Sequence, residues 1–447
     1  MKTIKLLMAG TILLAFLMTG CGIDDPSQPK LTVEQPEGVA ALTTYVAIGN
    51  SLTAGYMDSG LILNGQTSSY PFMIGMQLGY SPVPGADNWF AMPLVSWPGI
   101  GTTSLPDPTQ VAGVLHWDTD LETIRPVSAT AGTEVTGLLL ASSWPTSYND
   151  LGVPGATLLD ATQALDSETS QSPGNAYFDF ILRNPTFGNV NMLDQAISKG
   201  PTLASIWLGN NDVLGGATGG NPVVGENVTP PAAFESMLEG VVAGMIDGVK
   251  NRFGYDPHLV VGNIPSITAI PYFVPKALFD QVVGMEIPTE ETDVVYMTFT
   301  ALSAVNADGF VPPLASNYTL TGAEVTAVSD VVDEYNDIID DLATTYDFTV
   351  ADLNAALADL DPTQGTHFLF LVGNGMSWED AANTTYFSLD GVHPNNMGYS
   401  VVTNTFVDAI NTQLGLDGDD MLSHIPAVPG SWNPTYPAVA PATLVSN

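Results

Sequence analysis

The sequence predicts an α/β protein built on a parallel sheet. Three observations lead there. Apolar runs rich in β-forming residues alternate with segments of helical period. Two of those runs, at 45–49 and 203–208, stop at glycine and small polar residues, and a third segment, 259–265, carries a glycine and ends in proline, each the signature of a buried strand ending in a tight turn. Apolar residues make up 45% of the 447-residue chain, ample for a large core.

The elements follow in order. The run 45–49 is a strand, and 69–79 reads as a helix with Gly79 beyond its end. The stretch 80–143, rich in Gly, Pro, Trp and Thr, reads as an insertion, with a strand-like run at 135–141. A second strand precedes Gly209. The segment 232–252 carries Met237, Val241, Val242, Met245 and Ile246 as a helical stripe. The segment 259–265 reads as a buried strand with a turn, then comes a second insertion at 275–320 containing Phe279, Tyr296, Phe299 and Phe310. Thr321 and Glu324 are spaced as a capping box. The helix they open puts Val328, Val331, Val332, Tyr335, Ile338, Ile339 and Leu342 on one face. Its other face, with Asp333, Glu334, Asp337, Asp340 and Asp341, is a solvated face, not a metal site. A strand at 348–353 and a helix at 397–414 complete the pattern. The region 416–447 is a Pro-rich tail whose Trp432 and Tyr436 are its large aromatics.

Four segments carry candidate chemistry. Gly49-Asn50-Ser51-Leu52 places a serine where hydroxyl and backbone N–H both emerge at the end of a sheet, as an acyl-transfer nucleophile requires. Gly155 opens a turn in which its N–H is presented. Gly209-Asn210-Asn211-Asp212 follows another strand, and an Asn amide there suits an oxyanion. Of five histidines, His393 lies three residues after Asp390 on a glycine-containing loop, so that Asp390 is placed to orient an imidazole base. Taken singly, each segment also reads as an ordinary turn.

Together, and in this order, the four segments resemble the SGNH hydrolases, also called the GDSL esterase/lipase family, over about 45–414. The resemblance implies a three-layer, flavodoxin-like α/β/α fold with five central parallel strands. It implies Ser51 as nucleophile, His393 as general base and Asp390 as its orienting acid. The oxyanion hole would be the Ser51 N–H, the Gly155 N–H and the Asn211 side chain, with Gly152 and Gly101 as nearby alternatives to Gly155. Asn50 departs from the Asp usual at that position. The implied activity is hydrolysis of carboxylic esters through an acyl-enzyme, with no metal or cofactor. Deacetylation of a carbohydrate, or acyl transfer, would use the same triad. A non-catalytic envelope binding protein is the reading of another class.

The charge balance is extreme: 47 acidic residues against 9 basic, net −38. Such a surface repels nucleic acid; ester substrates are the partners that the resemblance implies. It also suits high salt, where self-repulsion is screened, and points to a marine or halophilic source. Lys2 and Lys5 precede an apolar stretch at 6–17 that is too short to span a bilayer and ends in Met18-Thr19-Gly20-Cys21. This resembles a bacterial lipoprotein signal, which implies lipidation of Cys21, the sole cysteine, and a membrane anchor. Ile23 stands where an Asp retention signal would be, favouring the outer membrane. The expected organisation is a signal peptide at 1–20, a tether at 21–40, a hydrolase domain at 41–415 and the tail.

Overall fold

The computed structural model describes residues 36–101, 113–127, 138–141, 143–183, 187–307 and 309–435. Five parallel strands form its centre: β1 (Tyr45–Gly49), β2 (Asp150–Gly152), β3 (Leu203–Trp207), β4 (His258–Gly262) and β5 (Thr349–Ala351). Their spatial order is β5-β4-β3-β1-β2. That is the flavodoxin-like doubly wound order, and it makes the β1–β3 boundary the switch point, where such sheets place sites at the strands' carboxyl ends. Ile48 pairs with Leu151 on one side and Ile206 on the other, so the nucleophile turn, the Gly155 turn and the Asn211 turn leave the sheet as neighbours. β1, β3 and β4 are buried throughout, as expected of strands covered on both faces.

Helices Leu158–Gln163, Met192–Ser198, Pro231–Phe253 and Gly322–Tyr346 pack together as one outer layer. Tyr70–Gln77 and Asn396–Gln413 pack on each other as the second, against β1, β4 and β5. The capping box is formed: the Glu324 carboxylate accepts from the Thr321 N–H at 2.7 Å. The face expected to be apolar is buried through Val328, Val331, Val332, Tyr335, Ile339 and Leu342.

Three expectations shift. The strand at 348–353 contracts to β5, because Asp352 caps the next helix, Leu353–Ala358, by accepting from Ala355. The strand-like run at 135–141 is described only from 138, and there Leu139 makes a single bridge to Val95. The stretch 275–320 holds an unexpected antiparallel sheet: Phe273–Pro275, Val294–Thr298 and Thr319–Thr321 pair around a satellite core of Val274, Phe279, Ile287, Met297, Ala301, Leu314 and Phe370. Its strands are too short to show a period of two in sequence. Within 80–143, strands Val114–Asp118 and Thr123–Val127 form a hairpin. Cys21, the apolar stretch before it and Tyr436 lie outside the described residues.

Candidate active site

β1 ends at Gly49 because the chain must pass hard against its neighbours. A Cβ there would stand 1.9 Å from Thr53 Oγ1 and 2.8 Å from the Trp207 carbonyl. Asn50 then caps a single turn, Ser51–Ala54, by accepting from the Leu52 N–H at 3.0 Å. Ser51 is the first residue of that turn, so its N–H has no intrahelical acceptor and stays available. Asn50 Nδ2 donates to Asn210 Oδ1 at 3.3 Å. An Asp carboxylate could not make that donation, so the departure at Asn50 is matched by the amide of Asn210.

His393 Nε2 stands 2.8 Å from Ser51 Oγ, although the two residues are 342 positions apart in the chain. His393 Nδ1 lies 3.1 Å from Asp390 Oδ2. Asp390 accepts three further N–H donations: from Val392 and His393 at 2.9 Å each and from Ser59 at 2.8 Å. Burial works to raise the Asp390 carboxyl, but the His393 imidazole and these donors outweigh it and hold the group well below the usual carboxylate range. A permanently ionised Asp390 keeps the proton on Nδ1 and leaves the Nε2 lone pair facing the serine hydroxyl. The Tyr56 ring packs against the imidazole, centroids 4.6 Å apart.

Two residues past β3 stands Gly209, whose φ of +105° and close approach to the Phe234 ring, 2.6 Å from a notional Cβ, admit no side chain. Helix Asn210–Thr218 starts there. Asn211 lines the cleft beside Ser51, and one of its amide hydrogens is given to the Ala156 carbonyl at 2.8 Å, leaving the second for a ligand. That bond also ties Asn211 to the turn carrying Gly155. Gly155 has φ +83°, and its N–H enters no backbone bond among the described residues. The two alternatives are committed elsewhere: the Gly152 N–H to Asp150 Oδ1 at 2.8 Å, and Gly101 to pairing with Gly60. Gly155 itself is half-buried and does not line the cleft. Asp212 is structural: it accepts from Leu158 and Thr229, both at 3.0 Å, and burial pushes it up to about 6.

The cleft over Ser51 holds about 50 Å³ of open interior and is walled mainly by apolar groups, among them Leu214, Ile267, Ile270 and Val392. Among the described residues no cluster of three His, Cys, Asp or Glu is placed to hold a metal ion.

The sequence reading missed what holds the 388–393 loop. Ser59, with φ +59°, presents its N–H to Asp390 from a hairpin tip. His367 Nε2 donates to the Leu389 carbonyl at 3.1 Å, while its Nδ1 accepts from Leu369. The only local signal was the turn-like Asp58-Ser59-Gly60.

The fold of an acetyl-xylooligosaccharide esterase from Geobacillus stearothermophilus aligns with 88% of this chain and 100% of its own, at 12% identity and a TM-score of 0.33. An α/β hydrolase enzyme from the metagenome of Lake Arreo, Spain, aligns over 84% and 99%, at 15% identity and 0.33. Comparison with curated protein sequences gives no match. The family model for GDSL-like lipase/acylhydrolases matches residues 45–406, spanning the turns of Ser51, Gly155 and Asn211 and the loop of Asp390 and His393, and the chain belongs to that family.

Proposed function

We propose that the protein is a serine esterase for short acyl groups, with Ser51 as nucleophile, His393 as base and Asp390 as the acid that orients it. The observation that carries this is the unbroken contact from Asp390 through His393 to Ser51, 3.1 Å and 2.8 Å. His393 Nε2 takes the Ser51 proton as Oγ attacks the ester carbonyl, then returns it to the leaving alcohol. Water, deprotonated by the same nitrogen, releases the acyl group. Charge on the tetrahedral oxygen is met by the Ser51 N–H and the free Asn211 amide hydrogen, which both border the cleft; the Gly155 N–H, set back from the cleft lining, is the third donor that the family pattern assigns. The small apolar cleft supports acetyl or similarly short acyl groups over long chains. An acetylated carbohydrate is a substrate subclass compatible with this reading.

The test is turnover of p-nitrophenyl esters from acetate to palmitate, beside Ser51→Ala. The expected result is highest kcat/KM at two to four acyl carbons and near-complete loss in the variant. Equal turnover by the variant would remove the serine mechanism, and a palmitate optimum would remove the short-acyl assignment.

We also propose that the chain is exported and anchored through lipid on Cys21, on the strength of the basic, apolar and small-residue segments before it. No helix among the described residues is long and apolar enough to cross a membrane. Mass spectrometry of the protein from a bacterial envelope would show a diacylated or triacylated N-terminal cysteine, and an unmodified Cys21 would refute the anchor.

A further inference from the structure

Strands Tyr56–Met57 and Gly60–Leu61 pair as a hairpin whose two-residue tip is Asp58-Ser59, with φ of 53° and 59°. Two successive positive-φ residues favour Asn and Gly, so an Asp-Ser tip is strained and must be held by what surrounds it. It is held by the acid–base loop. Asp58 Oδ1 accepts from the Leu389 N–H at 2.9 Å, the Asp58 N–H donates to Ser388 Oγ at 3.1 Å, and the next amide, Ser59, donates to Asp390. The remaining carboxylate oxygen, Asp58 Oδ2, accepts from the Trp432 indole N–H at 3.2 Å.

Trp432 arrives from the far C-terminal segment, yet it is 2% exposed. Its ring meets Phe368 edge-on with centroids 6.0 Å apart, and two residues later the Pro434 carbonyl accepts from Trp117 at 2.8 Å. A buried carboxylate therefore joins three pieces remote in sequence: the hairpin tip, the 388–390 backbone and the tail.

We propose that Asp58 is a positioning residue for the hydrolysis and that the C-terminal segment, through the Trp432 indole, latches it in place. The proposal rests on the serine esterase reading above. With Asp58 ionised and Trp432 docked, the backbone at 388–390 is fixed from behind and Asp390 is aimed at His393. Both donors to Asp58 are N–H groups, so the carboxylate accepts from both with full charge, whereas a protonated acid leaves one of them only the weaker acceptor of its hydroxyl oxygen.

The groups that face Asp58 agree. Burial, reinforced by the negative charge of Asp390, pushes the Asp58 carboxyl up to about 7, against the two N–H donors that favour its ionised form. His367, behind Leu389, is driven down to about 4 by burial and stays neutral across that range. Tyr399, whose hydroxyl donates to the Tyr56 carbonyl, is pushed far up by burial and does not ionise. From the strand Val114–Asp118 the Leu115 N–H donates to the Asp58 carbonyl; His116 there bonds to the Arg125 carbonyl and Asp118 to the Arg125 guanidinium. His393 lies beyond Asp390. The latch opens as pH falls below about 7.

Trp432→Phe keeps the ring and removes the indole donor. Its kcat/KM is expected to fall about tenfold near pH 6, the scale of one hydrogen bond to a charged group. The acid limb of its pH profile moves up by about one pH unit, the shift that a tenfold loss for the ionised form implies. KM stays close to the starting value. Independently of turnover, the indole ¹H–¹⁵N resonance of Trp432, assigned by its absence in Trp432→Phe, titrates with a midpoint near 7 and stops titrating in Asp58→Asn. A flat indole resonance through this range, or a Trp432→Phe profile superimposable on the parent, would overturn the latch. If the parent turns over no ester, the hydrolase reading fails by that result alone, and the indole titration still decides whether Asp58 and Trp432 are coupled.

Discussion

The two halves of the candidate site are held in opposite ways. Ser51 and Asn211 sit on turns that leave adjacent strands of the central sheet, just beyond the register pair that joins Gly49 to Trp207. Their positions follow from the core itself. Asp390 and His393 sit on an irregular loop with no sheet beneath it. Ser59 and Asp58 hold it from a hairpin, His367 from a short helix, Tyr272 through its N–H to the Gly391 carbonyl at 2.8 Å, and Trp432 from the tail. The Ser51 and Asn211 side is thus built by the central sheet, and the Asp390 and His393 side is assembled by peripheral segments. Perturbing the periphery should disturb proton transfer while leaving the oxyanion side intact.

The largest effects test that division within the chemistry. Asp390→Asn keeps the volume but sets an amide N–H against the Ser59 N–H or the imidazole, so His393 takes the wrong tautomer. A loss of about 10⁴ in kcat is expected, with KM little changed. Asn211→Ala removes one oxyanion donor and should cost about 10²–10³ in kcat. It leaves the acid limb of the pH profile where it was, because nothing on the 388–393 loop moves. Steady-state kinetics across pH checks both. If Asn211→Ala moved the acid limb as strongly as Asp390→Asn, the two sides would not be separable.

The same division decided what could be read from the sequence. Tyr45–Gly49 and Leu203–Trp207 are continuous apolar runs ending in glycine, so strand, turn and nucleophile were all local information. Asp390 and His393 are three residues apart, and their pairing was local too. What stayed hidden was non-local: the contact between Ser59 and Asp390 spans 331 residues and that between Trp432 and Asp58 spans 374. No spacing rule reports such contacts. The antiparallel sheet Phe273–Pro275, Val294–Thr298, Thr319–Thr321 was missed because its strands of three to five residues are set by packing on Phe279 and Met297, not by a pattern of their own.

A stability measurement sharpens the contrast on the nucleophile side. Gly49→Ala drives a methyl group into Thr53 and the Trp207 carbonyl, neither of which can retreat without moving β1 or β3. Overpacking of this kind costs about 1–3 kcal/mol. Tm should fall by a few degrees, with activity lost alongside because Ser51 is displaced. Thermal unfolding by circular dichroism checks this, and an unchanged Tm would show that the nucleophile turn is softer than the sheet that carries it.

The smallest expected effect is a difference in sign. Asp390 is ionised in the folded state well below its usual range, so its contribution is present at neutral pH and lost only as the solution becomes strongly acidic. Asp150, on β2 beside β1, is the reverse. Burial pushes it up to about 8, its Oδ2 has no hydrogen-bond partner, and its one local donor is the Gly152 N–H. It is held neutral in the fold and must ionise as pH rises, so its contribution is present below about 4 and is lost as pH climbs through about 8. Asp58 adds a loss of the same sign through about 7. Tm should therefore decline from pH 6 to pH 8 and level off above it. Asp150→Asn, which cannot ionise, should decline less over that range, while Asp390→Asn should follow the parent there and differ from it only in acid. Scanning calorimetry at fixed ionic strength resolves the two, and parallel curves for the parent and Asp150→Asn would mean that the sheet side carries no such alkaline weakness.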